Sequence, residues 1–558
     1  MATAAQSWEI PITGGKRWAV RFLPSLTDFA FLLPAFILFA ILPGAKTLLN
    51  DSDTGWHLRV GEWILQHKAV PTTDFFSFTK ANQPWFAWEW GWDLLFGAIH
   101  SMWGLPGVVL ANVLILCFVS ALLFRLIRRF CDNDILALLF TGISIFGSTI
   151  HWLARPHLLS WVFFLAFAHL LLSAEQGKTK ALYWLPLLML LWTNLHGSFF
   201  LGIVMIMISG IAPWISAVLQ PGIAWKGAYW ESRPYLLCAL LCGMVTFANP
   251  YTWRLHEHLF LYLRDSSQLD AIQEFQSISF HYGLAAFFEI MLLTGAASAL
   301  WCIQRQKWTG ALTLLLWAHL ALFSRRNVPM YLLLASPWIA KMVAQMSADG
   351  LRSLRLRPWL QRAAGGLAEI ALEFRPLERI NRLHVTSLFG ILFIFLSMAS
   401  ARPGFEAQFN TKRFPASAIP VIQAQNARRI FTNDQWSGYL IYQLYPDVKV
   451  FVDGRSDLYG GDFVNSCLHT LNGRWDWEIN LNRFSVDMVI VAPGTPLSTV
   501  LKMSPRWRTL LDDGSVMVFA PKSLMRRQDT PLTGTNNFQP LNSTEEASLK
   551  SKRGLASF

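Results

Sequence analysis

The sequence predicts a polytopic α-helical membrane protein with about eleven transmembrane helices and a small C-terminal soluble α/β domain. Three observations support this fold class. The 558 residues are 53% hydrophobic and only 15% charged, which is unlike a soluble protein of this length. Apolar runs long enough to cross a bilayer recur from residue 29 to residue 400. After residue 401, shorter strand-like and helix-like segments alternate instead.

Eleven apolar runs are predicted to span the membrane. They cover residues 29–50, 106–127, 134–152, 156–174, 181–195, 198–217, 235–249, 282–303, 308–323, 328–345 and 385–400. Lys16, Arg17 and Arg21 precede the first run, so the positive-inside rule places the N-terminus in the cytoplasm and the connection 51–105 on the opposite side. Most Lys and Arg residues behind the net charge of +12 lie in short segments between apolar runs, as the positive-inside rule predicts. The charge therefore does not indicate a nucleic-acid partner.

Five regions follow from this topology. They are a cytoplasmic N-terminus at 1–28, a transmembrane domain at 29–400 with a first periplasmic loop at 51–105, a periplasmic α/β domain at 401–525, and a disordered polar tail at 526–558. Strands are predicted at 429–432, 448–452 and 486–491, and helices at 437–445, 462–472 and 496–503. A cytoplasmic connection at 350–383 is rich in arginine and suits anionic lipid headgroups.

The segment Asp51–Trp63, which follows the first apolar run, concentrates titratable groups beside the membrane. Asp51, Asp53, His57 and Arg59 lie within nine residues of one another. Residues 54–67 can form a helix in the membrane interface with an apolar face. That face carries Trp56, Val60, Trp63 and Ile64. A second aromatic segment at 83–103 contains tryptophans, which favour the headgroup level of a bilayer: Trp85, Trp88, Trp90, Trp92 and Trp103.

Glu89 and Asp93 are four residues apart in the second aromatic segment, so they share one face of a helix beside several tryptophans. They are candidates to bind a sugar, or to hold a divalent cation such as Mg²⁺ or Mn²⁺ together with Asp51 and Asp53. The alternative is that they are solvated residues of an interfacial helix. His157 and His196 lie at outer turns, where they either line the same cavity or serve as structural hydrogen-bonding groups.

Four arginines lie at span ends on the outer side, against the charge bias. They are Arg155, Arg254, Arg325 and Arg326. A charge kept near the membrane against this bias needs a partner, and a guanidinium group suits a phosphate. A polyprenyl-phosphate sugar is therefore a candidate ligand. The alternative is that these arginines reach lipid headgroups or pair with nearby carboxylates.

Asp53 has two competing roles. An Asp immediately before a helix accepts free backbone N–H groups as an N-cap. Capping does not account for the second acid, Asp51, or for the nearby His57 and Arg59. Transfer of a sugar from a lipid phosphate needs a carboxylate to deprotonate or orient the acceptor hydroxyl, and a positive group to neutralise the departing phosphate. Asp53 opposite outer arginines meets both needs.

These features resemble the GT-C membrane glycosyltransferases, a superfamily that includes oligosaccharyltransferases, protein O-mannosyltransferases, aminoarabinose transferases and Rgt-type transferases. The stretch Asp51–Arg59 is similar to the oligosaccharyltransferase pattern of an Asp followed by an aromatic residue and an Arg. The turn Leu153–His157 is similar to an outer turn of aminoarabinose and Rgt-type enzymes, and Trp436–Leu440 and Val452–Arg455 resemble a periplasmic appendage of bacterial members. The resemblance implies a polyprenyl-phosphate sugar donor, inverting transfer, and Asp53 at the position of the catalytic acid.

One feature departs from this pattern. Relatives carry a second acidic residue at the outer turn after the third span, where this chain has Pro156 and His157. The departure leaves metal dependence open, and with it catalysis itself. The leading hypothesis is a glycosyltransferase of the bacterial inner membrane that transfers a sugar to a periplasmic glycan, lipid or protein, and that also contacts membrane lipids. The alternative is a non-catalytic polyprenyl-glycan binding or transport component. An ion-coupled transporter fits less well, because the sequence shows no repeated halves.

Overall fold

The structure is a computed structural model that describes residues 20–220, 224–266, 270, 272–353 and 382–522. Three predicted regions therefore fall wholly or mostly outside the described residues. They are the N-terminal segment 1–28, the basic connection 350–383 and the tail 526–558.

The first part of the chain is helical. Its helices are α1 (Leu26–Phe36), α2 (Ala45–Leu48), α3 (Asp53–His67), α4 (Trp90–Cys131), α5 (Asp134–Ser148), α6 (His157–Glu175), α7 (Leu185–Thr193), α8 (Phe200–Leu219), α9 (Trp225–Val245), α10 (Arg254–Arg264), α11 (Ala285–Gln304), α12 (Trp308–Phe323), α13 (Val328–Ser353) and α14 (Val385–Ala399). A helix overlaps each of the eleven predicted spans. In the described part of the chain, five helices are long and apolar enough to cross a membrane and three shorter apolar helices accompany them. The chain is therefore an integral membrane protein, and the number of eleven spans stays a prediction.

Several element boundaries differ from the predictions, and α9, for example, begins at Trp225 although its span was predicted to begin at residue 235. The first predicted span, 29–50, ends early, because α1 continues only as a π-helical turn over Ile37–Ile41, which stops before Pro43 and Gly44. The aromatic segment and the second span form one helix, α4, with a kink where Gly104 has a φ of 63°. Pro106 lies just after this kink, and its ring nitrogen has no hydrogen to donate to the preceding turn.

The C-terminal region is built around a five-stranded mixed sheet. Its elements are α15 (Ala418–Ala424), β1 (Arg429–Phe431), α16 (Asp434–Leu444), β2 (Lys449–Val450), α17 (Ser456–Tyr459), α18 (Gly461–Leu471), α19 (Trp477–Arg483), β3 (Met488–Val491), α20 (Pro496–Met503), β4 (Trp507–Asp512) and β5 (Met517–Pro521). The strand order is β2-β1-β3-β5-β4, with β1 parallel to β2 and β3 and with β5 antiparallel to β3 and β4. The three predicted strands and three predicted helices are confirmed. The hairpin β4-β5 was missed, because most of β4 faces solvent and lacks an apolar alternation.

Helix α3 is buried between the bundle and the C-terminal region, and its location at the level of the membrane interface stays a prediction. Its backbone touches α4 where Gly61 meets Gly97, and a Cβ atom on Gly61 would lie 1.9 Å from the carbonyl oxygen of Asp93. It touches α16 where Gly55 meets Gly438, and a Cβ atom on Gly55 would lie 2.6 Å from the carbonyl oxygen of Gly438. Only glycine permits such close approach of two helix backbones.

The loop between α3 and α4 extends the sheet of the C-terminal region. The amide of Phe78 donates to the carbonyl of Val450 (3.2 Å), and the amide of Val450 donates to the carbonyl of Phe76 (3.1 Å). Since β2 is an edge strand, this pairing satisfies backbone groups that an open edge leaves exposed. The loop that carries Glu89 to the start of α4 is thereby attached to the C-terminal region.

Candidate active site

Two adjacent cavities lie where the helix ends meet the C-terminal region. The tryptophan cavity, lined by Trp56, Trp85 and Trp88, has a volume of about 420 Å³. The carboxylate cavity, lined by Asp51, Asp53 and Glu274, has a volume of about 570 Å³. Residues from five different segments line both cavities: His151, Arg155, Tyr262, Phe275, Arg326, Gly454 and Ser456. The C-terminal region therefore forms part of the wall of the candidate site.

Arg155 forms ion pairs with three carboxylates at the boundary between the cavities. Its Nη1 atom lies 3.0 Å from Asp51 Oδ2 and 3.1 Å from Glu274 Oε1, and its Nη2 atom lies 3.0 Å from Asp53 Oδ2. Glu274 was not among the predicted site residues, and it comes from the connection between α10 and α11. One guanidinium therefore faces three acidic groups, and the cluster has an excess of negative charge.

Asp53 is held in place without acting as the helix cap. Asp51 Oδ1 accepts the backbone N–H of Asp53 at 2.9 Å, and the hydroxyl of Thr54 donates to the carbonyl of Ala154 at 3.0 Å. Capping at this terminus thus belongs to Asp51, and the Asp53 carboxylate is left for other contacts. Among the described residues, none forms a hydrogen bond with the buried Asp53 Oδ1 atom. Gly454 packs directly on this carboxylate, since a Cβ atom there would lie 2.0 Å from Oδ1.

The surroundings of the cluster shift the pKa values of Asp53 and Glu274 in opposite directions. Burial, and next the negative charge of Asp51, raise the pKa of Asp53 well above its usual value, although Arg155 acts in the opposite direction. Burial also tends to raise the pKa of Glu274, but Arg155 outweighs it and brings that pKa to about 2. Asp53 is therefore the acid of the two that is better suited to accept a proton near neutral pH.

Glu89, His57 and Asp93 form a second cluster beside the tryptophan cavity. His57 Nδ1 lies 2.6 Å from Asp93 Oδ1, and His57 Nε2 lies 3.5 Å from Glu89 Oε2. The prediction that Glu89 and Asp93 share a helix face is confirmed, because both carboxylates contact this one ring. Burial lowers the pKa of His57 well below its usual value and raises the pKa of Glu89 to about 7.

We expect stability to fall as pH rises from about 4.5 to about 7, because the folded protein holds the proton on Glu89 more tightly than the unfolded chain does. Glu89→Gln removes this titration, so its apparent melting temperature is expected to decline less over the same range. Thermal unfolding of both proteins between pH 4.5 and pH 8 measures the difference. Parallel curves for the two proteins would contradict the expectation.

His157 and His196 line the tryptophan cavity but are held by structural hydrogen bonds. His157 Nε2 donates to the carbonyl of His151 at 3.0 Å. His196 Nδ1 contacts the hydroxyls of Ser160 and Ser198 at 2.8 and 2.7 Å, which leaves its Nε2 atom 3.4 Å from Glu89 Oε1. Both histidines therefore combine a structural bond with a position in the wall. His151 lies in the wall of both cavities and was not predicted.

The outer arginines differ in their surroundings. Arg155 is paired with carboxylates, as one of the two sequence interpretations held. The guanidinium of Arg325 donates to the carbonyl of Ile150 at 3.3 Å and lines the carboxylate cavity. Arg326 lines both cavities, and among the described residues its guanidinium contacts the ring of Phe275 without a hydrogen bond or ion pair. Arg254 lines neither cavity.

Arg59 does not line the site, so that prediction is wrong. Its guanidinium lies 2.7 Å from Glu62 Oε2 and donates to the carbonyl of Tyr442 in α16. Residues two positions apart on a helix point about 200° apart, so Arg59 and His57 face opposite ways. Trp85 and Trp92 are buried within the protein, and their position at the headgroup level stays a prediction.

The carboxylates do not form a cation site. No group of three or more His, Cys, Asp or Glu side chains in the described ranges is arranged to hold a metal ion. The cause is visible at the carboxylate cluster, where the Arg155 guanidinium occupies the space between Asp51, Asp53 and Glu274. Glu89 and Asp93 turn toward His57 and not toward Asp51. A divalent cation such as Mg²⁺ or Mn²⁺ would therefore have to displace the Arg155 guanidinium to reach these three carboxylates.

Comparison with known proteins places the fold. No protein-family model and no curated protein sequence matches the chain. The structure of the oligosaccharyltransferase AglB from Archaeoglobus fulgidus in complex with an inhibitory peptide and a dolichol-phosphate matches with a TM-score of 0.53 and 10% identity, over 91% of this chain and 74% of that one. The apo form of the A. fulgidus oligosaccharyltransferase matches with a TM-score of 0.51 and 9% identity, over 87% and 70%. ArnT from Cupriavidus metallidurans bound to undecaprenyl phosphate matches with a TM-score of 0.45 and 15% identity, over 89% and 98%. The chain therefore shares its fold with the archaeal oligosaccharyltransferase.

Proposed function

We propose that this protein is a membrane glycosyltransferase that moves a sugar from a polyprenyl-phosphate donor to an acceptor hydroxyl or amide. The observation that carries the proposal is the state of Asp53. Its carboxylate is buried, its Oδ1 atom has no hydrogen-bond partner among the described residues, and it belongs to the cluster at the boundary of two cavities. If Asp53 served only to stabilise the fold through an ion pair, we would expect both of its carboxylate oxygens to have hydrogen-bond partners. A buried carboxylate oxygen without a hydrogen bond can accept one, and we propose that the acceptor reaches Oδ1 when Gly454 moves away from it.

The tryptophan cavity is the proposed donor site. One part of its wall is apolar and comes from helices of the bundle, and it includes Phe200, Leu259, Leu320, Phe323 and Met330. Such a wall suits the first isoprene units of a lipid carrier. Arg326 lies in the wall of this cavity and of the carboxylate cavity, which suits a phosphate at the boundary. The tryptophans at the other part of the wall offer faces on which a sugar ring can stack.

The proposed step is a single displacement. Asp53 accepts the proton of the acceptor, the acceptor atom forms a bond to the anomeric carbon, and the bond from that carbon to the phosphate oxygen breaks. The electron pair of the broken bond stays on the phosphate, where Arg326 stabilises the added charge. Arg155 keeps the Asp53 carboxylate in position through the other oxygen.

The cellular setting belongs to the same proposal. We place the chain in the bacterial inner membrane with eleven spans over 29–400, the N-terminus in the cytoplasm, and the site and the region 401–525 in the periplasm. The acceptor is then a periplasmic glycan, lipid or protein. The topology is supported by the distribution of Lys and Arg in the sequence. Cysteine accessibility to a membrane-impermeant reagent at Thr411 and at Lys178 distinguishes the two sides.

Replacing Arg326 by Gln is expected to weaken binding of undecaprenyl phosphate about tenfold or more, because a charge-assisted hydrogen bond contributes roughly 1.5–3 kcal/mol. Thermal-shift titration of the purified protein with this lipid measures the change. Arg254→Gln is the matched control, since it removes the same charge on the same predicted side but lines neither cavity. Equal weakening in both variants would assign the effect to general surface charge and would remove Arg326 from the site.

The second candidate function is a non-catalytic component that binds polyprenyl-linked glycans. It is favoured by the pairing of Arg155 with all three carboxylates and by the absence of an acid at the Pro156 and His157 turn. Such a component would bind undecaprenyl phosphate through Arg326 as well, so binding does not separate the two functions. Turnover does, because a binding component leaves every undecaprenyl-phosphate sugar intact.

A further inference from the structure

A groove that the proposed reaction does not use lies between the C-terminal parts of α4 and α6. It is an open groove of about 910 Å³, which we call the arginine groove. Arg125, Arg128 and Arg129 lie along it, together with Asp132. By the predicted topology, this groove is on the cytoplasmic side of the membrane, opposite to the candidate active site. It shares no lining residue with the tryptophan cavity or the carboxylate cavity.

The three arginines differ in how their charge is balanced. Arg128 pairs with Asp134 at 2.5 Å. Among the described residues, Arg129 forms hydrogen bonds only with neutral groups of α6 and its C-terminal end, namely His169, Ser173 and Gln176. Arg125 is exposed and forms no hydrogen bond or ion pair with any described residue. Arg125 and Arg129 carry two positive charges against the single negative charge of Asp132, so the described part of the groove keeps a net positive charge.

The rest of the groove is apolar. Its wall includes Leu122 on α4, Ala166 and Leu170 on α6, and Leu188 on α7. Trp184 is 60% exposed in the wall beside them, and tryptophan prefers the headgroup level of a bilayer. A ligand that matches this surface carries a negative charge next to hydrocarbon chains. A free anion matches only the arginines, and a zwitterionic lipid carries a second charge of the wrong sign.

We propose that the arginine groove is a binding site for an anionic phospholipid, with its phosphate at Arg125 and Arg129 and an acyl chain along the wall formed by Leu122, Ala166 and Leu170. Basic pockets between membrane helices commonly bind anionic headgroups. Lys178 and Lys180 are exposed in the connection that leads to Trp184, and they add positive charge nearby. This inference is independent of the proposed transferase activity.

Native mass spectrometry of the delipidated full chain tests this site, with phosphatidylglycerol and phosphatidylcholine as probes. We expect the wild-type protein to prefer phosphatidylglycerol. The double variant Arg125→Gln, Arg129→Gln is expected to lower phosphatidylglycerol affinity on the order of 30-fold, because each basic residue near the surface contributes about a factor of five. The double variant Arg305→Gln, Lys307→Gln is the matched control, since it removes two charges on the same predicted side outside the groove.

Three results would overturn the proposal. They are equal affinity of the wild type for both lipids, equal loss in both double variants, and displacement of phosphatidylglycerol by millimolar inorganic phosphate, which would show that the acyl chain is not recognised. Ala166→Trp keeps every charge and fills the apolar wall. It is expected to lower phosphatidylglycerol affinity as well, so it decides the question if the double arginine variant fails to fold. Unchanged affinity in Ala166→Trp would contradict the site.

Discussion

Replacing Asp53 by Asn is expected to lower the rate of sugar transfer at least about 100-fold, because a positioned general base contributes typically 10²- to 10⁴-fold. Asparagine has nearly the same shape and still contacts Arg155, but it cannot accept the proton. In the wild type, the rate is expected to rise with pH as Asp53 loses its proton, and burial places that rise well above the usual pKa of an aspartate. The variant is expected to lack this rise. Loss of sugar from a panel of undecaprenyl-phosphate hexoses and pentoses, followed by mass spectrometry, measures the rate.

Glu274→Gln is the matched control for Asp53. It removes the same charge next to the same guanidinium, since both carboxylates contact Arg155, but it leaves Asp53 Oδ1, the proposed proton acceptor, in place. We expect a loss of about tenfold or less and an unchanged pH dependence. Equal losses in the two variants would show that Asp53 acts only by holding Arg155. Full transfer by folded Asp53→Asn would end its assignment as the base, and no turnover in the wild type would favour the binding component.

Much of the fold was predictable because the physical causes are local. An apolar run of membrane length specifies a helix whatever surrounds it, so each predicted span overlaps a helix. The buried strand β3 is likewise apparent from an unbroken apolar run. The burial of α3 was not predictable in this way. Its apolar face has the composition of an interfacial helix, and the glycine contacts that bury it join residues from three distant segments.

The candidate site could likewise be predicted from the sequence only in part. Asp51, Asp53, His57, Glu89 and Asp93 could be selected because they crowd into short segments beside tryptophans. Glu274 could not, since it is a single acid in a polar connection and reaches Arg155 across 119 residues of sequence. Gly454 belongs to the predicted resemblance to bacterial members, but its role as the surface beneath Asp53 depends on docking of the C-terminal region. Local patterns identify candidate groups, and tertiary contacts decide which of them meet.

Replacing Arg455 by Met is expected to lower the free energy of unfolding by about 3–5 kcal/mol, the usual cost of leaving a buried charge without its partner. Arg455 Nη2 lies 2.7 Å from Asp453 Oδ2 and 2.6 Å from Asp74 Oδ1, and the side chains of all three residues are at most 1% exposed. The guanidinium also packs 4.5 Å from the ring of Trp85. It therefore joins the C-terminal region to the loop that leads to Glu89, and methionine leaves two buried carboxylates facing each other. Chemical denaturation measures the loss.

Lys502→Met is the control, because the ion pair of Lys502 with Asp512 is half exposed and such pairs contribute about 1 kcal/mol or less. Arg455→Lys keeps the charge but loses the planar contact with two carboxylates, so we expect a loss between those of the two methionine variants. If the C-terminal region is a separate appendage, Arg455→Met will cost no more than Lys502→Met. If it completes the site, the variant will also raise the rate of protease cleavage in the connection 400–417 and lower sugar transfer. Normal stability with lost transfer would instead make Arg455 a ligand of the substrate, because its guanidinium also lines the tryptophan cavity.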